Sequence, residues 1–272
     1  MTMKKITVPD FRNMKTEGRK IAVLTAYDFL MARLLDMAGV DAVLVGDSVG
    51  MVFSGFETTL PVTLRDMIYH GRAVRRAVKR SLLIIDMPFM SYQVSAGHAL
   101  HNCGKVMKET GANAVKIEGG EEVCEVVRSC MRASIPVMGH IGLTPQSIHR
   151  IGGYKVQGQK AGEGTKLLHD ALCLQEAGCF SIVLEMVAAE VAEEITSKIG
   201  IPTIGIGSGA ACDGQVLVIY DMLGMNEEFK ARFFKTYVDL SDTIRGAVRA
   251  YVEEVKAGKF PADEHSFHSD ER

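Results

Sequence analysis

The chain has 272 residues, 47% hydrophobic and 24% charged, with a formal net charge of -2 at pH 7. These values predict a packed protein with ample core and exclude a disordered chain. The near-neutral balance, with no long Lys/Arg run, argues against nucleic acid as a partner, and no apolar stretch approaches the ~20 residues of a membrane span.

Met1 to Lys20 is polar and charged and lacks the apolar segment of a secretory leader, so a cytoplasmic enzyme is expected. Short apolar, β-rich runs then recur at Ile21 to Tyr27, Ala42 to Gly46, Leu82 to Asp86, Ala114 to Glu118, Pro136 to His140, Ser181 to Glu185, Pro202 to Gly207 and Gln215 to Tyr220. By pattern these are buried parallel strands. Amphipathic stretches lie between most of them: Phe29 to Ala38, Thr63 to Val78, Ala96 to Thr110 and Glu121 to Ala133, several closing on glycine as helices do. Repeated β then α over a chain near the ~250 residues typical of a (β/α)8 barrel predicts that barrel rather than an open doubly wound sheet. Residues 1–272 are expected to form a single barrel domain with a short polar N-terminal segment and a C-terminal tail.

Thr144 to Gly164 breaks the rhythm with Gly, Pro and polar residues between the fifth strand and its helix. A long connection in that place lies on the C-terminal face of a barrel and predicts a lid or substrate loop. Arg72, Arg75, Arg76, Lys79 and Arg80 recur at helical spacing and predict a solvated outer face. The 6 cysteines form no C-x-x-C pair and predict reduced core residues.

The chemical signal lies where strands end: Asp47 with Ser48, Asp86, Lys116 with Glu118, His140 and Glu185. Period-two alternation puts Lys116 and Glu118 on one side of their strand. Carboxylates crowded into one mouth repel, so either their pKa values rise or a cation neutralises them. Asp47, Asp86 and Glu118 are hard oxygen donors suited to Mg2+. Each alone also reads as a helix cap or turn former; recurrence at several strand ends is what favours function. Glu185 ends an apolar run and is followed by Met186 and Val187, surroundings that predict a desolvated carboxylate of raised pKa, suited to a general base for a carbon acid. His140 reads equally as a core histidine, a substrate contact or a base. Gly205-Ile-Gly-Ser-Gly209 is a weak phosphate-loop signal, and His265 with His268 read as part of a disordered tail.

The chain resembles the ketopantoate hydroxymethyltransferase (3-methyl-2-oxobutanoate hydroxymethyltransferase) family nearly end to end. The resemblance rests on Thr25-Ala-Tyr-Asp28, Val45-Gly-Asp-Ser-Val-Gly50, Thr59-Leu-Pro-Val-Thr63, Asp86-Met-Pro-Phe-Met90, Val115-Lys-Ile-Glu-Gly-Gly120, Gly139-His-Ile-Gly-Leu-Thr-Pro-Gln146 and Gly152-Gly-Tyr-Lys-Val-Gln-Gly158. Gly205 to Gly209 and His265-Ser-Phe-His268 extend it. It implies a (β/α)8 TIM barrel of the phosphoenolpyruvate/pyruvate type. The implied reaction transfers a hydroxymethyl group from 5,10-methylenetetrahydrofolate to 3-methyl-2-oxobutanoate, giving 2-dehydropantoate for pantothenate biosynthesis, through a metal-stabilised enolate.

By the same resemblance Mg2+ is the metal, with Asp47, Asp86 and Glu118 as its acids. Asp47, Ser48, Asp86, Lys116 and His140 are substrate contacts, and Glu185 is the proton acceptor. A homo-oligomer, commonly a decamer, is also implied. Two departures from relatives are Ala188, where proline is frequent, and Ser208, where alanine is frequent. Another metal-dependent, enolate-forming carbon-carbon lyase of the same superfamily is the alternative, although the long loop lacks the cysteine such lyases generally use. A non-catalytic metabolite-binding barrel and a Schiff-base aldolase on Lys116 are the further rivals.

Overall fold

The computed structural model describes residues 4–227 and 232–269. They fall into two compact units, Met1–Ile219 and Tyr220–Arg272. In the first, strands β1 (Ile21–Thr25), β2 (Ala42–Val45), β3 (Leu82–Asp86), β4 (Ala114–Glu118), β5 (Val137–Gly142), β6 (Ser181–Glu185), β7 (Thr203–Ile206) and β8 (Gly214–Leu217) pair in sequence order into a closed barrel. All pairings are parallel, and β1 closes the ring on β8 with Val23 opposite Val216. The (β/α)8 barrel expected from the pattern is therefore the fold. Four of these strands, β2, β3, β4 and β7, are buried along their whole length, as parallel strands covered by helices are.

The helices are α1 (Val8–Thr16), α2 (Phe29–Ala38), α3 (Val49–Val52), α4 (Leu64–Ala77), α5 (Ala96–Thr110), α6 (Cys124–Arg132), α7 (Ile148–Ile151), α8 (Glu163–Ala177), α9 (Ala189–Lys198), α10 (Ile219–Met222) and α11 (Leu240–Lys256). Local chemistry sets their ends. The side chain of Asp28 accepts from Met31 N at the start of α2, Thr63 and Asp66 form a capping box on α4, and Ser95 accepts from His98 N on α5. Glycines 39, 111 and 178 close α2, α5 and α8 in the left-handed conformation.

The polar N-terminal segment contains α1, at whose start the Asp10 carboxylate accepts from Thr7 N (2.8 Å) and on which Phe11 and Met14 are buried. Two expectations of secondary structure need correction. The eighth strand stops at Leu217 rather than reaching Tyr220, since Ile219 N turns aside to Thr25 Oγ1 (3.1 Å) and Ile219–Met222 is helical. His265 and His268 do not lie in a structureless tail: Asp263–His265 forms a 3-10 turn, the ring of His265 lies 5.1 Å from that of Phe260, and His268 Nε2 is 3.0 Å from Asp263. In that second unit α11 is capped by Asp239, and Arg245 pairs with Glu227 and Asp242 at 2.6 Å each.

The cysteines are free, and all but Cys173 are buried. Arg72, Arg76 and Lys79 are exposed, Arg72 pairing with Glu109 (2.8 Å), but the solvated reading of the basic cluster fails at Arg80, which lies beyond α4, is half-buried and donates to Val40 O (2.8 Å). Among the described residues no helix is long and apolar enough to cross a membrane.

Two glycines offer a test of how tightly strand ends are held. Gly142 has φ 96°, and a Cβ there would overlap the backbone of Glu185. Gly104, inside α5, has open space around it. Gly142→Ala should cost ~2 kcal/mol or more in urea unfolding, whereas Gly104→Ala should gain up to ~1 kcal/mol from helix propensity alone.

Candidate active site

Each polar strand-end residue reaches the same mouth. Asp47 and Ser48 follow β2, Asp86 ends β3, Lys116 and Glu118 belong to β4, His140 to β5 and Glu185 to β6. Strand register brings neighbours together: Asp86 stands beside Lys116, Glu118 beside His140, and Gly142 beside Glu185. Side chains that share register on adjacent parallel strands lie within contact distance, so the pairing follows from the barrel itself. Gly46 permits the tight approach before Asp47, since a Cβ there would meet Ser48 Oγ at 2.8 Å and Asp86 Oδ2 at 3.5 Å.

Lys116 Nζ lies 3.0 Å from Asp86 Oδ1 and 3.0 Å from His140 Nδ1. Asp86 Oδ2 accepts from Asp47 N (3.1 Å). His140 Nδ1 is 3.5 Å from Glu118 Oε1, and its Nε2 is 3.2 Å from Glu185 Oε2. Neither the Lys116 contact at Asp86 Oδ1 nor the Glu185 contact at His140 Nε2 is well aligned as a hydrogen bond, so both atoms remain under-satisfied although buried. Ser48 Oγ and Tyr27 Oη share a hydrogen bond of 2.8 Å. The Glu185 side chain keeps 17% exposure, against 4% for Glu118 and 5% for Asp86. It is more open than its apolar flanks suggested, and it alone of the four acids faces solvent.

The electrostatics follow from three buried carboxylates against one lysine. Burial pushes the Asp47 carboxyl well above the usual range, and Glu118 and Asp86 push it further. Burial also raises Asp86, against the pull of Lys116. Burial likewise acts upward on Glu118, but His140, Lys116 and the N–H of Gln146 outweigh it and the net direction is down. Burial acts downward on Lys116, yet Asp86, Glu118 and Asp47 raise it, so it stays charged.

His140 is held between opposing influences. Burial and Lys116 favour the neutral ring, but Glu118 and Glu185 win and raise its pKa to about 9. The 3.0 Å approach of Lys116 Nζ requires a lone pair on Nδ1 and so belongs to the neutral ring, with its proton on Nε2 facing Glu185. We take the geometry as the neutral tautomer and the raised affinity for a second proton as the consequence of surplus carboxylate.

The donor set suits a hard divalent cation. Asp47, Asp86 and Glu118 are oxygen donors buried in formal excess over Lys116, and Asp86 Oδ1 is under-satisfied. Among the described residues, however, no His, Cys, Asp and Glu side chains converge as a ready ligand cluster. Each acid is held by a protein donor: Asp47 by Gln146 Nε2 (2.9 Å), Glu118 by Gln146 N (3.1 Å) and Asp86 by Asp47 N (3.1 Å).

Sequence reasoning did not single out Gln146 or Tyr92. Tyr92 is buried, and its hydroxyl lies 3.0 Å from Glu118 O and 2.8 Å from Gln146 Oε1. The loop Thr144 to Gly164 holds the 3-10 turn Pro145–Ser147 and α7, then brings Tyr154 Oη to 3.5 Å from Met51 Sδ. Burial raises the Tyr154 phenol, and the charges of Glu185 and Asp47 raise it further. Gln157 then pairs with the turn after Glu185, its N donating to Met186 O (2.7 Å) and its O accepting from Ala188 N (2.9 Å). Ser208 is part of the same brace: it accepts from Val187 N (3.0 Å) and donates to Leu184 O (2.8 Å). At Gly205 an added Cβ would meet Cys212 Sγ at 3.0 Å, and at Gly209 it would meet Ala189 Cβ at 2.9 Å, so these glycines serve close packing.

Residues 5–263 match the family described as ketopantoate hydroxymethyltransferase. A 3-methyl-2-oxobutanoate hydroxymethyltransferase of Pelobacter propionicus is 56% identical over 264 residues, covering 97% of this chain and 98% of the relative. One from Geobacter sulfurreducens is 53% identical over 261 residues, covering 96% and 98%. Among solved structures, phosphonopyruvate hydrolase in complex with oxalate and Mg2+ superposes with TM-score 0.62 at 12% identity, covering 97% of this chain and 92% of that one. A 2,3-dimethylmalate lyase of the PEP mutase/isocitrate lyase superfamily gives 0.58 at 13% identity, covering 96% and 91%. These structural likenesses speak to the fold.

The charge balance predicts a pH dependence. A histidine whose folded pKa is raised above 6.5 stabilises fully below that value and loses the contribution as pH rises through about 9. Asp47, an acid raised on folding, acts in the same direction, because the unfolded chain releases its proton first. In EDTA, urea stability should therefore fall between pH 6.5 and 9, and His140→Asn should flatten the fall. A flat wild-type profile contradicts this balance.

Proposed function

Because this chain belongs to the ketopantoate hydroxymethyltransferase family, we propose that its barrel mouth binds 3-methyl-2-oxobutanoate and that Glu185 removes the proton at C3. The chain is a hydroxymethyltransferase of pantothenate biosynthesis, converting 3-methyl-2-oxobutanoate to 2-dehydropantoate. The donor in this reading is 5,10-methylenetetrahydrofolate and the metal is Mg2+. A cytoplasmic location, a decameric assembly and the working of residues 1–272 as one barrel domain belong to the same proposal.

The observation that carries the assignment of roles is the division among four acids: three are buried beside Lys116, and Glu185 is open and faces His140 Nε2 at 3.2 Å. The reaction must deprotonate a tertiary carbon beside a ketone. Held by Asp47, Asp86 and Glu118, a divalent cation would draw charge onto the ketone oxygen. Lys116 and Ser48 bind and orient the oxo acid at the mouth, with Asp47 and Asp86 lining the same pocket. Neutral His140, its Nε2 3.2 Å from Glu185 Oε2, stands behind that carboxylate and aims it at the mouth. Glu185 takes the C3 proton, and the electron pair left at C3 forms the new bond to the folate-borne methylene carbon as one of its two C–N bonds breaks, the freed nitrogen receiving the proton that Glu185 took. Water then cleaves the second C–N bond, its hydroxyl staying on the methylene carbon and its proton going to the nitrogen, which releases tetrahydrofolate. The loop through Tyr154, braced by Gln157 on the turn after Glu185, limits water at the mouth.

The proposal predicts metal-dependent loss of the C3 proton of 3-methyl-2-oxobutanoate in D2O, followed by NMR with Mg2+ or with EDTA. Glu185→Gln should slow this exchange by about 10²-fold or more while leaving Mn2+ affinity within about threefold. Equal losses of exchange and metal binding would remove the base assignment. No exchange by the wild-type protein, with or without folate, would remove the substrate assignment.

A further inference from the structure

Gln146 occupies the 3-10 turn that opens the long loop after β5, and its side chain is buried. Its Nε2 donates to Asp47 Oδ2 and to Met87 O, both at 2.9 Å. Its Oε1 accepts from Tyr92 Oη at 2.8 Å and from Gln93 Nε2 at 3.1 Å. Its backbone N–H donates to Glu118 Oε2 at 3.1 Å. A primary amide has two N–H donors and two acceptor positions, and all four are used. The orientation of the amide is therefore determined: a flip would turn its oxygen towards Met87 O, which has no proton to give, and its NH2 towards the Gln93 Nε2 donor. Packing alone would not require this, because an apolar side chain of similar volume fills a buried turn without the desolvation cost of an amide.

Two of these five contacts fall on acids assigned above to the metal, one from the side chain and one from the backbone. They lie on different strand ends, after β2 and at the end of β4, so a single residue ties the two together. We propose that Gln146 is a positioning residue that fixes Asp47 and Glu118 relative to each other and thereby sets the affinity of the mouth for a divalent cation. The inference rests on the acid set of the proposed function. Tyr92 supports the arrangement from behind, its hydroxyl shared between Glu118 O and Gln146 Oε1. Through the same loop Gln146 is also continuous with Gln157, which grips the turn after Glu185. Groups that orient metal ligands without touching the metal typically account for 10-fold to 100-fold in affinity.

The test is a Mn2+ titration of the full-length, metal-free protein, followed by the EPR signal of free Mn2+, with thermal unfolding in EDTA alongside. Gln146→Met, which keeps volume and removes the side-chain donor to Asp47 while leaving the backbone N–H to Glu118, should weaken Mn2+ binding by about tenfold or more. Tyr92→Phe, which removes one donor to the amide and leaves the acids intact, should weaken it by a smaller factor, about threefold, and serves as the reading if Gln146→Met does not fold. Loss of thermal stability with Mn2+ affinity unchanged in a folded variant would make Gln146 merely structural and overturn the inference. Failure of the wild-type protein to bind Mn2+ would instead overturn the metal assignment of the acid set, a different result from equal binding by wild type and variant.

Discussion

The mouth of this barrel depends on an excess of buried negative charge. Asp47, Asp86 and Glu118 sit within the reach of one ammonium group, and a lysine alone cannot neutralise three carboxylates in a medium that screens poorly. Everything around them responds to that excess: Lys116 holds its proton, Asp47 tends to regain one, and His140 is drawn towards a second. Such an arrangement is costly to fold and useful once a divalent cation or an anionic substrate with its own cation is present. Glu185 stands apart from the excess, facing it across His140 Nε2, and is the acid open enough to exchange a proton with a ligand.

The barrel supplies the geometry at little extra cost. Register between β3, β4 and β5 places Asp86 against Lys116 and Glu118 against His140 without any special backbone conformation at those residues. The special conformations lie at the strand ends, at Gly142 (φ 96°), the last residue of β5, and at Gly119 (φ 130°) and Met186 (φ 47°), just past β4 and β6. The long loop after β5 then reaches both halves of the site, the acids through Gln146 and the turn after Glu185 through Gln157. Ser208 stiffens that same turn at Val187, where Ala188 lacks the fixed φ of a proline. The hydroxyl gives a physical role to what reads in sequence as a small departure.

Strands and helices were legible because their signals are local. Parallel strands covered on both faces read as apolar runs, and Asp28, Thr63 and Ser95 mark helix starts by a hydrogen bond to a residue three positions on. The acids and Lys116 were legible because a charge at the end of an apolar strand needs a partner inside a barrel. Gln146 and Tyr92 were not, because a glutamine in a turn and a tyrosine after a strand carry no period; their burial is set by contacts across 54 residues of chain. The run ending Thr144-Pro145-Gln146 held the clue, a polar residue following a strand that already carried His140. The capped helix α1 was missed for a related reason: its buried face is only Phe11 and Met14, too few to show against a charged segment.

The central claim is that the mouth holds surplus carboxylate charge balanced by protons until a cation takes their place. Isothermal titration of Mg2+ into metal-free protein at pH 7, repeated in buffers of different ionisation enthalpy, counts the protons released on binding. This account predicts release of about one proton, abolished in Asp47→Asn if that carboxyl carries it and in His140→Asn if the ring does. Binding that releases no proton in the wild-type protein would contradict it, and so would a mouth that takes up no Mg2+ at all.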